Sequence, residues 1–139
     1  MIVVDTNIIG YLYLTSERSA QAELALQRDS HWVAPLLWRS ELRNVLGLYI
    51  HRGILRLEQA QQLMEEAAGL MVGHEYEVVS AHVLRLVAKS SCSAYDCEFV
   101  ALAEDLDVPL VTVDRQILSQ FPDRAVALED YTGGDTHVV

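Results

Sequence analysis

The sequence predicts an α/β fold: a central, mostly parallel sheet of about five strands with helices on both faces. Three observations predict it. Five short aliphatic runs stand at 2–5, 31–34, 76–79, 110–113 and 125–128, the form taken by strands buried on both faces. Helical patterns separate them, so successive strands need crossover connections and lie parallel. The 139 residues, 51% hydrophobic and 22% charged, suit one domain with a real core, spanning 1–139.

The first strand, Ile2-Val3-Val4, ends at Asp5, and helix 6–14 follows with Thr6 as its expected N-cap. Helix 16–28 places Ala20, Leu24 and Ala25 on one face, with Ser16 and Ser19 as candidate caps. After strand 31–34, helix 36–51 carries Leu37, Leu42, Val45, Leu46 and Tyr49 at three-to-four spacing and stops at Gly53. Helix 57–72 repeats the pattern with Leu63, Met64, Ala67 and Leu70, ending at Gly73. Strand 76–79 leads to helices 80–90 and 94–106, the second closed ahead of Pro109. Strand 110–113, a short helix 114–120 before Pro122, and strand 125–128 complete the order. The tail 130–139, which contains Gly133-Gly134, reads as frayed.

The formal net charge is −10, with Lys89 the single lysine. That total argues against a broad basic face of the kind that grips nucleic acid tightly. No apolar run reaches bilayer-spanning length, so no membrane association is expected. Cys92 and Cys97 are the only cysteines; five positions apart on a helix they point to different sides, so no disulfide is expected. Free thiols and the absence of a signal-peptide pattern at the start place the protein in the cytoplasm.

Four acids carry the chemistry. Asp5 and Asp114 each end an apolar strand, where an open α/β sheet keeps its active site. Either could instead cap the following helix, although Thr6 competes for that role at Asp5. Asn7 is placed to hold Asp5. Thr112 shares a strand face with Asp114 and could orient it. Glu41 interrupts the apolar row of Leu37 and Val45, where a lone carboxylate is costly unless paired or bound to a metal. Pairing with a neighbouring arginine is the plainer alternative. Asp96 opens helix 94–106, where a negative charge suits the helix dipole, yet Ser93 offers a competing cap. Glu98 points to another side of that helix and is a candidate for a supporting position. A carboxylate cluster with no obvious cation of its own suggests a divalent metal, and hence phosphate chemistry.

These motifs resemble those of the PIN-domain ribonucleases, and specifically the VapC-type toxins of toxin–antitoxin pairs. The matching segments are Val3-Val4-Asp5-Thr6-Asn7, Ser40-Glu41-Leu42-Arg43-Asn44-Val45-Leu46, Tyr95-Asp96-Cys97-Glu98-Phe99-Val100-Ala101-Leu102-Ala103, and Leu110-Val111-Thr112-Val113-Asp114. The resemblance covers nearly the whole chain. It implies a PIN-like three-layer sandwich and a metal-dependent endoribonuclease using Mg²⁺, for which Mn²⁺ substitutes. It assigns metal binding and catalysis to Asp5, Glu41, Asp96 and Asp114, with Asn7 and Thr112 in support. It also implies RNA as substrate, a small antitoxin as partner, and a homodimer. Relatives that carry a further acid shortly after the fourth differ from this chain, where Arg115-Gln116-Ile117 follows.

Arg39, Arg43 and Arg115 flank the acids in sequence and are candidate RNA contacts. One enzymatic alternative and one alternative of similar topology compete. A haloacid-dehalogenase-like phosphatase wants a second acid two residues after the first, where this chain has Asn7, and a supporting lysine. A response-regulator receiver wants a lysine after a late strand. A degenerate PIN scaffold that binds RNA or a partner without cutting is the non-enzymatic alternative.

Overall fold

The structure, a computed structural model, describes residues 1–136, with side chains to position 133. The chain runs β1 (Ile2–Val4), α1 (Thr6–Tyr13), α2 (Ser19–Arg28), β2 (Trp32–Pro35), α3 (Leu37–His51) and α4 (Leu57–Met71). It continues through β3 (Glu75–Tyr76), α5 (Ser80–Ala88), α6 (Ala94–Leu106), β4 (Leu110–Thr112), α7 (Arg115–Gln120), β5 (Ala125–Ala127) and α8 (Leu128–Thr136). The five strands form one parallel sheet in the order β3-β2-β1-β4-β5. This is the α/β sheet that the aliphatic runs and intervening helices predict.

β1 lies at the centre, with Val3 facing Val33 on one side and Leu110 on the other. Every residue of β1, β2 and β4 is buried, which is why those strands are continuous apolar runs rather than alternating ones. Ile8 and Ile9 of α1, Trp38 and Leu42 of α3 and Phe99, Val100 and Ala103 of α6 complete the core around them.

The elements differ from expectation at their ends. The third strand is only Glu75–Tyr76, because its neighbour β2 ends at Pro35 and α3 begins, leaving no ladder for Val78 and Val79. Leu128 belongs to α8 rather than to β5. The expected frayed tail is corrected over its first part, since α8 continues to Thr136. Tertiary contact outweighs the glycine pair there. Leu128 and Thr132 are buried, Arg28 of α2 donates to the Tyr131 carbonyl at 2.6 Å, and its guanidinium sits 4.9 Å from the Tyr131 ring centre. Positions 137–139 lie outside the described residues. Cys92 and Cys97 are free and buried. No helix among the described residues is long and apolar enough to cross a membrane.

Candidate active site

Sheet growth reverses direction at β1, which pairs with β2 on one edge and β4 on the other. In such a sheet the crevice beyond the carboxyl ends of the two diverging strands receives the ligand. Asp5 directly follows β1, and Asp114 follows β4 with Val113 between. α3 brings Glu41 and α6 brings Asp96 to the same crevice. The four carboxylates line one cavity of about 250 Å³, together with Thr6, Asn7, Asn44 and Val45. The larger apolar cavity, about 590 Å³ along α1, α3 and α4, has only Arg56 and Glu58 as charged lining and no such constellation.

The hydrogen bonds reassign several supporting roles. Asp5, not Thr6, is the N-cap of α1, its Oδ1 accepting the Asn7 backbone N–H at 3.1 Å. Asn7 therefore steadies Asp5 through its backbone rather than its side-chain amide. Thr6 is buried and gives its hydroxyl to Glu41 Oε1 at 2.6 Å. Thr112 reaches across to β1 instead of orienting the carboxylate on its own strand. Its hydroxyl donates to Asp5 Oδ2 at 2.6 Å and accepts the Asp114 backbone N–H at 3.0 Å. Asp114 does cap α7, its Oδ1 taking the N–H groups of Gln116 and Ile117, and still lines the cavity. Ser93 caps α6 by accepting the Asp96 N–H at 3.1 Å, so the Asp96 carboxyl is not needed as the cap.

Burial and crowding raise the proton affinity of three of these acids. Burial lifts the Asp5 carboxyl above its ordinary range, the Thr112 and Asn7 hydrogen bonds oppose this, and Asp114 adds repulsion. Burial also lifts Glu41; its Thr6 hydrogen bond opposes, while Asp5, Asp96 and Glu98 repel it. Asp96 is raised by burial first and by the Asp114 charge next. Glu98 stands half-buried off the cavity lining, itself raised by burial, and acts on the site by repelling Glu41.

None of the candidate arginines lines the cavity. Arg39 is paired away from it: its guanidinium grips both oxygens of Glu75, and Trp38 Nε1 donates to the same carboxylate at 2.7 Å. Arg43 lies with Arg39 over a separate groove between α3 and α4. Arg115 is exposed and borders a different small cavity. Sequence reasoning assigned no role to Asn44, whose signal is its i+3 spacing from Glu41 on one helix face.

A family-wide comparison decides the classification: the profile of the PIN domain matches residues 2–123. The chain belongs to the PIN-domain family. A curated relative of this PIN domain, Ribonuclease VapC3 of Pyrobaculum aerophilum, is 36% identical over 125 residues, which is 87% of this chain and 95% of the relative. The fold matches the crystal structure of PAE2754 from Pyrobaculum aerophilum at a TM-score of 0.75, with 19% identity, covering 98% of this chain and 96% of the other. It also matches FitAcB from Neisseria gonorrhoeae at 0.69, with 19% identity over 91% and 96% of the two chains.

Among the described residues no three acid, histidine or cysteine side chains converge tightly enough to cage a metal ion by themselves. The donor set around the cavity still fits one class of ion. Its ionisable groups are all carboxylates, joined by amide and hydroxyl oxygens, and they repel one another across a space of about 250 Å³. A hard divalent cation that keeps several waters and takes a few carboxylates suits such a site, whereas a bare, fully protein-coordinated ion does not.

Proposed function

We propose that this PIN domain is a Mg²⁺-dependent endoribonuclease, with Mn²⁺ able to substitute, and is the toxin of a toxin–antitoxin pair. The observation that carries the reading is the convergence of Asp5, Glu41, Asp96 and Asp114 on one cavity at the switch point of the sheet. The 36% identity to Ribonuclease VapC3 supports the choice of RNA as substrate. Those four acids would hold the cation. The bound ion supplies positive charge for the phosphate and makes a water acidic enough to attack at neutral pH. Asp5, clamped by Thr112 and the Asn7 N–H, provides a fixed oxygen on the sheet side. Glu41, held by Thr6, fixes the opposite side from α3. In-line attack by water at phosphorus breaks the P–O3′ bond and leaves a 5′-phosphate.

The antitoxin and a second copy of the chain are the expected protein partners. Leu36, Leu48, Ile54 and Leu57 are 45%, 44%, 59% and 56% exposed along α3, α4 and their connection, apolar side chains that a protein partner would cover. Trp38 does not contribute to it, being fully buried.

Cleavage of single-stranded RNA in Mg²⁺, Mn²⁺ and EDTA tests the reading. Activity in both metals and none in EDTA is expected. RNA binding without cleavage in either metal would favour a degenerate scaffold, and EDTA-resistant cleavage would remove the metal from the mechanism.

A further inference from the structure

With Arg39 paired to Glu75, a nuclease of net charge −10 must find its phosphate contacts elsewhere. A second, smaller cavity of about 40 Å³ is lined by Arg18, Val113, Arg115, Leu118, Ala127, Leu128 and Glu129. It sits where β4 and β5 end and where α2, α7 and α8 begin, so it shares the carboxyl edge of the sheet with the active site. Its volume holds roughly three waters or the oxygens of one tetrahedral anion.

Arg18 and Arg115 both line this cavity. Among the described residues neither makes a side-chain hydrogen bond or an ion pair, whereas Arg39 and Arg124 are both paired with acids. Glu129 is the lone carboxylate in the lining, one negative charge against two positive. Both arginines are tied to the acid site. Arg115 follows Asp114 directly, and Arg18 stands at the start of α2, at the same carboxyl edge of the sheet. Arginine presents a planar donor fork that matches phosphate oxygens.

We propose that Arg18 and Arg115 form a phosphate seat for the RNA strand, engaging a backbone phosphate that flanks the one being cut. The seat holds the strand in register, and Glu129 moderates its affinity. It leaves the remaining acidic surface free of any need to bind RNA. The inference rests on the endoribonuclease reading.

Binding measured separately from cleavage distinguishes the two. Fluorescence anisotropy of a short fluorescein-labelled single-stranded RNA is followed as salt is raised, in a Glu41→Gln background without added metal. Arg18→Ala and Arg115→Ala should each weaken binding roughly tenfold, the worth of a charge-assisted contact. Each should also flatten the slope of log affinity against log salt by about 0.7. Arg115→Lys should recover part of the loss, and Glu129→Gln should tighten binding. Unchanged slopes in both alanine variants, or weaker binding with Glu129→Gln, would overturn the seat. Arg18 opens α2, so if Arg18→Ala melts early, Arg115→Ala and Glu129→Gln decide the matter between them. A wild type that binds RNA through these residues yet never cleaves it would refute the nuclease reading and leave the seat standing.

Discussion

Replacing Glu41 by glutamine tests the acid cluster without disturbing its scaffold. The glutamine Oε1 can still accept the Thr6 hydroxyl, so the hydrogen bond that positions the side chain survives. What disappears is a charge disfavoured by burial and by the carboxylates of Asp5, Asp96 and Glu98. Removing that charge should stabilise the metal-free protein at neutral pH, by an amount that solvent screening of this partly exposed side chain keeps modest. Because the folded-state pKa of Glu41 is raised, its stabilising proton is fully present below the unfolded value of about 4.3 and is lost as pH rises through the folded value. In EDTA the two proteins should therefore melt together at and below about pH 4. At neutral pH the variant should melt at the higher temperature. Saturating Mn²⁺ should reverse the order, since a ligand stabilises in proportion to its affinity for the folded state and the variant lacks one of the carboxylates proposed to hold the ion. Thermal melts of both proteins at two pH values, in EDTA and in Mn²⁺, read out all three effects. Equal melting temperatures at neutral pH in EDTA, with the same Mn²⁺ shift in both, would show that Glu41 is neither strained nor a ligand.

Asp5→Asn and Asp96→Asn should each abolish RNA cleavage in saturating Mg²⁺; near-wild-type turnover by either removes that residue from the shared site. Thr112→Val strips the Asp5 Oδ2 of its donor and the Asp114 N–H of its acceptor, so a denaturant titration should show a loss of about 1–3 kcal/mol, and activity should fall with it. Arg39→Ala should leave cleavage intact but change the acid limb of unfolding. Arg39 holds the Glu75 carboxyl below its ordinary range, so that stability is present above the unfolded pKa and disappears as pH falls through the folded one. Wild type and Arg39→Ala should thus converge in acid, and a gap persisting at low pH would point to lost packing instead of lost charge. Light scattering should find a dimer or a co-purifying small partner, and a strict monomer would count against the apolar surface along α3 and α4 as an interface.

Most of the architecture was readable from local pattern. Buried parallel strands must be short aliphatic runs, and an acid that directly follows one has to emerge at the carboxyl edge; Asp5 and Asp114 were visible for that reason. Glu41 was visible because a carboxylate in an apolar helical row needs a partner. The roles around them were not visible, since each depends on a residue distant in the chain. Thr6 looked like a cap, but α3 brings Glu41 from 35 positions away and takes its hydroxyl, and Asp5 caps α1 in its place. Thr112 looked like a partner of Asp114, but its hydroxyl crosses to Asp5, 107 positions away in sequence. Arg39 looked available to RNA until the fold set Glu75, 36 positions on, beside it. The Gly133-Gly134 pair suggested fraying, and packing on α2 made α8 a helix instead. Periodicity and propensity act over a few residues and so determine elements and the edge at which an acid emerges. Which donor a carboxylate receives is settled by whatever side chain the tertiary fold places within about 3 Å of it, and short-range pattern carries no record of that.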